Sequence, residues 1–405
     1  MKNNEEQITQ EELKPEVNNG LQIQSNAKQL ENNTKRNNKK QSAEVNKKIS
    51  EFKEVLTKSI NDCNAVYLVG HKNIDFDAIA SLGAMALICK KLKKAPYIVI
   101  DQEEIDDLNN NEKKFFEHEM LERIKENFVV INLSDYENNR QDNALLIMLD
   151  VNQGFRTPFK NHYQEFKKIL VLDHHNQTQD TIKVNNKLIL SDSVSSTSEI
   201  MYWLLKQYKM SVKDIDYYNF LLLGIYLDTN TKRKNTYSNT LDCISELIDK
   251  KGVDENKVKE YLSVDFETDR KIQRLVDETK WITIRYAIGI GNETYTDEEI
   301  AKAADYALKY TCEAAIYAGK DKNGNYLVKA RSNRGNLDIG KLMYDLNKGG
   351  GNKSSAAARP MFIDASTPEE EREKLFREIK DVIYHKRQQP RKRYYIKSKN
   401  IKKDN

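Results

Sequence analysis

Apolar positions along this chain fall into short runs separated by amphipathic stretches. From about Glu44 an apolar stripe of helical spacing begins, carried by Ile49, Phe52, Val55, Leu56 and Ile60. Ala65–Val69 (AVYLV) then reads as a buried strand and Ala78–Leu92 as a helix. Tyr97–Ile100, Val129–Leu133, Ala144–Leu149 and Ile169–Leu172 repeat the strand signal, and Leu188–Leu190 adds an edge strand. Helices are expected at Ser196–Lys209, Asp214–Leu227 and Ser238–Lys251. Strands that alternate with helices predict parallel βαβ units, so residues 44–250 are expected to form an α/β domain with a doubly wound parallel sheet.

The charged stretch 251–280 reads as a helical connector. A second, smaller α/β domain is expected over 281–365. Its strands are Thr283–Ile288, Ala314–Ala318 and Tyr326–Ser332, and its helices Asp297–Lys309 and Ile339–Leu346. Residues 366–405 are expected to form a last helix, Glu369–His385, and a basic tail. Residues 1–43, rich in Asn, Gln, Lys and Glu with no apolar period, are expected to be disordered.

Charge sharpens this division. The chain carries a net charge of +4, but residues 386–405 hold nine Lys and Arg against Asp404 alone, which leaves −4 for the rest. The folded body is therefore not a basic nucleic-acid-binding surface, and only the tail is suited to RNA or an anionic surface. The N-terminus has no apolar signal core and no run of about 18 apolar residues follows, so a cytoplasmic protein is expected. The four cysteines, Cys63, Cys89, Cys243 and Cys312, are widely spaced and read as reduced thiols.

Acids and histidines gather where predicted strands and helices end. Gly70-His71-Lys72-Asn73-Ile74-Asp75-Phe76-Asp77 follows the first strand, Asp150-Val151-Asn152 the fourth, and Asp173-His174-His175 the fifth. Asp228-Thr229 closes the helix that begins near Asp214. Ligands of open parallel sheets bind at the carboxyl ends of strands, so these groups are expected to converge. Each segment alone has an ordinary reading: Asp75 as a helix cap, the histidine pair as loop, Asp228 as a turn residue. Together they supply four carboxylates and two imidazoles, a donor set suited to first-row divalent cations, with no cysteine for a closed zinc site. Ser196 and Glu199 read as a capping box opening an apolar helix, in which Tyr202, Trp203 and Tyr208 pack.

The ordered set G-H-K-N-x-D-x-D-A-I, D-V-N, D-H-H and G-I-Y-L-D-T resembles the motifs of the DHH phosphoesterase family. Ala330-Arg331-Ser332 followed by Gly349-Gly350-Gly351 resembles its DHH-associated substrate-binding domain. Ser195–Glu199, Lys250–Asp254 and Ile300–Asp305 make the chain similar to the cyclic di-AMP phosphodiesterase branch, without the membrane and sensor domains that often precede that module. The resemblance implies two divalent ions, Mn²⁺ above all. His71, Asp75 and Asp150 would hold one, and Asp77, Asp150, His174 and Asp228 the other, with Asp150 bridging. It implies that His175, with Asp150, serves catalysis, that Asp173 orients a histidine, and that water activated by the two ions opens a cyclic dinucleotide. Arg331, Ser332, Gly349, Gly350, Gly351 and Asn352 would bind substrate, although Asn352 stands where the family usually has histidine. The alternatives are a short-oligoribonucleotide exonuclease or pAp phosphatase of the same family and, from another class, an inactive nucleotide-binding regulator. A homodimer is compatible with every one of these readings.

Overall fold

The computed structural model describes residues 40–111, 114–160, 162–232, 236–333, 337–351 and 353–388. Asn352, residues 1–39 and the tail beyond Gln388 lie outside the described residues, as do the expectations that rest on them. The chain divides into two compact units that meet in sequence at Leu262 and Ser263.

The first unit begins with helix α1 (40–61), which buries Val45, Ile49, Phe52, Leu56 and Ile60 and leaves Val55 partly exposed. There follow β1 (Val66–Val69), α2 (Phe76–Lys91), β2 (Pro96–Val99), α3 (Gln102–Asn110), α4 (Phe115–Lys125) and β3 (Val129–Ile131). α5 (Leu133–Asn138), β4 (Leu145–Leu149), β5 (Lys168–Asp173) and β6 (Lys187–Ile189) complete the sheet region. Helices α6 (Thr197–Gln207), α7 (Asp216–Thr229), α8 (Ser238–Lys251) and α9 (Glu255–Tyr261) end the unit. All six strands run parallel in the order β3-β2-β1-β4-β5-β6. Successive residues of β1 serve opposite faces: Val66 and Leu68 join the core under α1, α2 and α6–α8, while Tyr67 and Val69 pack with Tyr136, Phe159 and Phe166. A sheet covered on both faces explains why its strands read as unbroken apolar runs rather than alternating ones. The predicted parallel, doubly wound α/β fold is the one observed.

The strand order reverses between β1 and β4, and the crevice of such a sheet opens there, beyond the strand ends. His71 follows β1 and Asp150 follows β4 directly. Asp150 has φ +59°, a left-handed backbone that few residues other than glycine adopt, so its placement carries strain.

The second unit contains α10 (Phe266–Asp277), β7 (Lys280–Ile282), β8 (Tyr286–Thr294), α11 (Asp297–Ala307), β9 (Ala314–Lys320) and β10 (Tyr326–Ser332). α12 (Ile339–Asn347), β11 (Gly350–Gly351), β12 (Ser355–Met361) and α13 (Pro368–Gln388) follow. Its sheet runs β11-β12-β10-β9-β8-β7, parallel only between β8 and β9. The stretch read as one connector is shared, with α9 in the first unit and α10 in the second. No helix among the described residues is long and apolar enough to cross a membrane, and all four cysteines are buried and free.

The glycine triplet has a packing reason of its own. A methyl group on Gly349 would lie 2.1 Å from the Ala357 carbonyl oxygen, and one on Gly351, at φ +141°, 2.4 Å from Ala356 Cα. β11 therefore reaches β12 only because those side chains are missing. Gly350 faces open space. Gly349→Ala is expected to destabilise the second unit by roughly 1–3 kcal/mol, whereas Gly350→Ala should stay within about 0.5 kcal/mol. Thermal melts of both variants check this.

Candidate metal centre

The loop from β1 to α2 carries two of the candidate ligands. His71 Nδ1 lies 2.7 Å from the Lys72 carbonyl, which can only accept, so this nitrogen carries the proton. Nε2 then faces Asp75 Oδ2 at 3.5 Å and Asp150 Oδ2 at 3.4 Å. Asp75 divides its oxygens: Oδ1 caps α2 by accepting the Ala78 N–H at 3.1 Å, and Oδ2 turns to His71. The side chain that caps α2 thus also presents its second oxygen towards His71.

Asp77, in the first turn of α2, is buried. Its Oδ2 accepts the Thr197 N–H at 2.8 Å and its Oδ1 the Ser198 N–H at 2.7 Å, so the start of α6 clamps the carboxylate. Thr197 Oγ1 also donates to Asp150 Oδ1 at 3.0 Å. Behind this turn the buried Glu199 accepts from the Ser195 N–H and hydroxyl and from the Thr240 hydroxyl. The expected capping box is half present: Ser196 caps the Glu199 N–H, but the Glu199 carboxylate serves Ser195 instead. Tyr202, Trp203 and Tyr208 are core residues, as expected. Gly224 of α7 lets that helix approach Asp77, since a methyl there would lie 2.9 Å from Asp77 Oδ1 and 2.3 Å from the Ser198 hydroxyl.

His174 Nε2 lies 3.3 Å from Asp228 Oδ2, 3.5 Å from Asp150 Oδ1 and 3.9 Å from Asp77 Oδ2. Asp228 occupies the last turn of α7, where the helix dipole disfavours an acid, so local helix energetics do not account for it. His175 behaves differently. Its Nδ1 lies 2.8 Å from Asp173 Oδ1, and the buried Asp173 also accepts from Asn152 Nδ2 at 2.6 Å. Asp173 therefore orients His175 rather than His174.

The charges are poised rather than balanced. Burial disfavours an ionised Asp77, and the carboxylates of Asp150 and Asp75 push its pKa further up. Burial and the neighbouring His175 lower His174 to about 4, so it is neutral at pH 7. Desolvation opposes a charge on His175, yet Asp173 raises it to about 9. Desolvation likewise opposes a charge on His71, but Asp75 and Asp150 lift it well above its ordinary value.

Among the described residues three groups could hold a metal ion: His71–Asp75–Asp150, Asp77–His174–Asp228 and Asp150–His174–His175. The donor set fits a hard divalent cation on two counts. His174 Nε2 is a buried nitrogen with no hydrogen bond, facing three carboxylates. Burial and the carboxylates of Asp150 and Asp75 also raise the proton affinity of Asp77, a repulsion that a cation removes. Each Asp150 oxygen faces a different group, Oδ2 towards His71 and Oδ1 towards His174.

The residues expected to bind substrate in the second unit have internal partners. Arg331 Nε lies 3.3 Å from Asp305 Oδ1, with its side chain mostly buried. The Ser332 hydroxyl donates to the Glu313 carbonyl at 2.7 Å. Gly349, Gly350 and Gly351 lie at the sheet edge described above.

Residues 65–225 match the DHH family, N-terminal domain. The cyclic-di-AMP phosphodiesterase GdpP of Bacillus subtilis is 26% identical over 321 residues, covering 78% of this chain and 47% of that protein. The membrane protein-large ribosomal subunit bL9 fusion protein of Aster yellows witches'-broom phytoplasma is 25% identical over 303 residues, 72% of this chain and 34% of its own length. The chain thus spans about half or less of the relatives it matches. In structure it is similar to an exopolyphosphatase-related protein from Bacteroides fragilis, with a TM-score of 0.63 and 17% identity over 82% of this chain and 96% of that one. That similarity extends the fold over both units. His71, Asp75, Asp77, Asp150, His174 and His175, beside the switch point of the parallel sheet, thus lie in the segment, residues 65–225, that matches the DHH family, N-terminal domain, and Asp228 lies just beyond it.

Proposed function

We propose that this chain is a phosphodiesterase that holds two divalent cations, Mn²⁺ being the best match, and opens a cyclic dinucleotide, cyclic di-AMP first among them. The observation that carries the reading is Asp150, whose two carboxylate oxygens face two different His/Asp groups. A carboxylate so placed suits a bridge between two ions, with His71 and Asp75 completing one shell and Asp77, His174 and Asp228 the other. Cations held there would supply Lewis-acid charge to the phosphodiester and to an attacking water.

The remaining steps belong to the side chains. Asp173 holds the proton on His175 Nδ1, which leaves Nε2 as a second donor to a phosphate oxygen. The half-exposed His175 is charged at neutral pH and is the cationic group of the site next to solvent. Thr197, Ser198 and Gly224 fix Asp77 and Asp150 before substrate arrives. The choice of cyclic di-AMP is supported by curated relatives of that name in Bacillus subtilis, Listeria monocytogenes and Geobacillus thermodenitrificans, at 24–26% identity.

Purified protein with Mn²⁺ is expected to show its highest kcat/KM on cyclic di-AMP within a panel that includes cyclic di-GMP, pApA, pAp and RNA 2–5-mers. Highest turnover of pAp or short RNA would move the substrate to the other branch of the family, and no turnover at all would favour a binding protein. Asp150→Asn removes one of the repelling charges while keeping an acceptor for Thr197. Its metal-free form should therefore melt no lower than the wild type. Saturating Mn²⁺, expected to stabilise the wild type by about 3–4 kcal/mol, should no longer do so, and turnover should fall at least 10²-fold. His175→Gln should retain the Mn²⁺ stabilisation and lower kcat/KM by about 10²–10⁴. Melting curves with and without metal, beside steady-state kinetics, measure both variants.

A further inference from the structure

The β1–α2 loop is held from outside by a residue that belongs to none of the metal-facing groups. Between His71 and Asp75 the chain must turn sharply, with Asn73 at φ +54°. Three successive backbone N–H groups of that turn point away from the centre and find partners elsewhere. Lys72 N–H donates to the Arg156 carbonyl at 2.6 Å. Asn73 N–H donates to Glu104 Oε2 at 2.7 Å, and Ile74 N–H to Glu104 Oε1 at 2.8 Å. Glu104 comes from the first turn of α3, thirty residues on, and its side chain is nine-tenths buried. It is itself steadied by Lys114 Nζ, 3.6 Å from Oε1, while Lys72 is tied to Asp101 at 3.1 Å.

A carboxylate that receives two successive backbone N–H groups defines both the position and the tilt of the turn between them. Here the turn separates His71 and Asp75. A second candidate group, Asp77–His174–Asp228, draws its side chains from α2, α7 and the residue after β5, none of which lies on that turn. We propose that Glu104 is a positioning residue for the His71–Asp75–Asp150 site alone, so that it sets the affinity of one cation and not of the other. This rests on the two-cation reading above. The function of Glu104 is then to hold His71 Nε2 and Asp75 Oδ2 facing each other across 3.5 Å. Without it the turn would relax, because the Asn73 and Ile74 N–H groups would lose their shared acceptor and Asn73 would leave its left-handed conformation.

The test is calorimetric titration of Mn²⁺ into the EDTA-stripped full chain, comparing the wild type with Glu104→Ala, Glu104→Gln and Asp75→Asn. Asp75→Asn identifies the step belonging to the His71–Asp75–Asp150 site. Glu104→Ala is expected to weaken that same step by about 10–100-fold and leave the other unchanged. Glu104→Gln, which keeps one carbonyl acceptor, should fall between. A residue that merely supports the fold would lower the melting temperature of the metal-free protein and weaken both steps together, and that result overturns the proposal. A wild-type isotherm for Glu104→Ala, where Asp75→Asn does lose a step, overturns the role of Glu104 and leaves the two-cation reading intact. A wild type that takes up no Mn²⁺, or an Asp75→Asn variant that binds as the wild type does, overturns both.

Discussion

The first unit is built around a carboxylate that ordinary folding would avoid. Asp150 is buried and strained, it follows the central strand directly, and Asp77 and Asp75 stand close enough to repel it. Burying like charges is unfavourable unless something opposite in sign joins them. Most of the contacts around the site make sense as responses to that constraint. The start of α6 offers two backbone N–H groups to Asp77, Thr197 offers a hydroxyl to Asp150, and His71 and His175 carry protons in the metal-free state. Each of these weakens the repulsion, and a cation would complete the neutralisation.

The sheet topology makes that concentration of charge possible. In the order β3-β2-β1-β4-β5-β6 the chain ends of β1 and β4 diverge to opposite sides, which opens space for polar groups that no strand or helix has to cover. Two kinds of support then meet there. Asp77 and Asp228 sit on helices packed into the apolar core, and Gly224 brings α7 close enough for one to serve the other. His71 and Asp75 sit on a loop, and a loop must be braced from outside to hold a geometry. The centre therefore combines a rigid half and a half whose order depends on a few hydrogen bonds.

The strand ends and the acids and histidines beyond them were legible in the sequence because short apolar runs stop abruptly at Gly70, Asp150 and Asp173. The long helices were legible through their periodicity. What stayed hidden is non-local. Thr197 meets Asp77 across 120 residues and Glu104 meets Asn73 across 31, separations to which no local pattern points. No glycine marks the left-handed backbone of Asp150 in the sequence. α3 buries only Leu108, so it shows almost no apolar stripe. β12 is made of small residues with little strand preference and forms because β10 and β11 pair with it. The resemblance of Gly349–Gly351 to a ligand-binding motif concealed a packing requirement that acts on Gly349 and Gly351.

The central claim is that Asp150 bridges two cations. The most direct test is diffraction from crystals of the full chain grown with Mn²⁺, recorded at the manganese absorption edge. Two anomalous peaks about 3.5–4 Å apart are expected, one beside His71 and Asp75, the other beside Asp77, His174 and Asp228, with an Asp150 oxygen on each. A single peak, or two peaks that do not share Asp150, would contradict it.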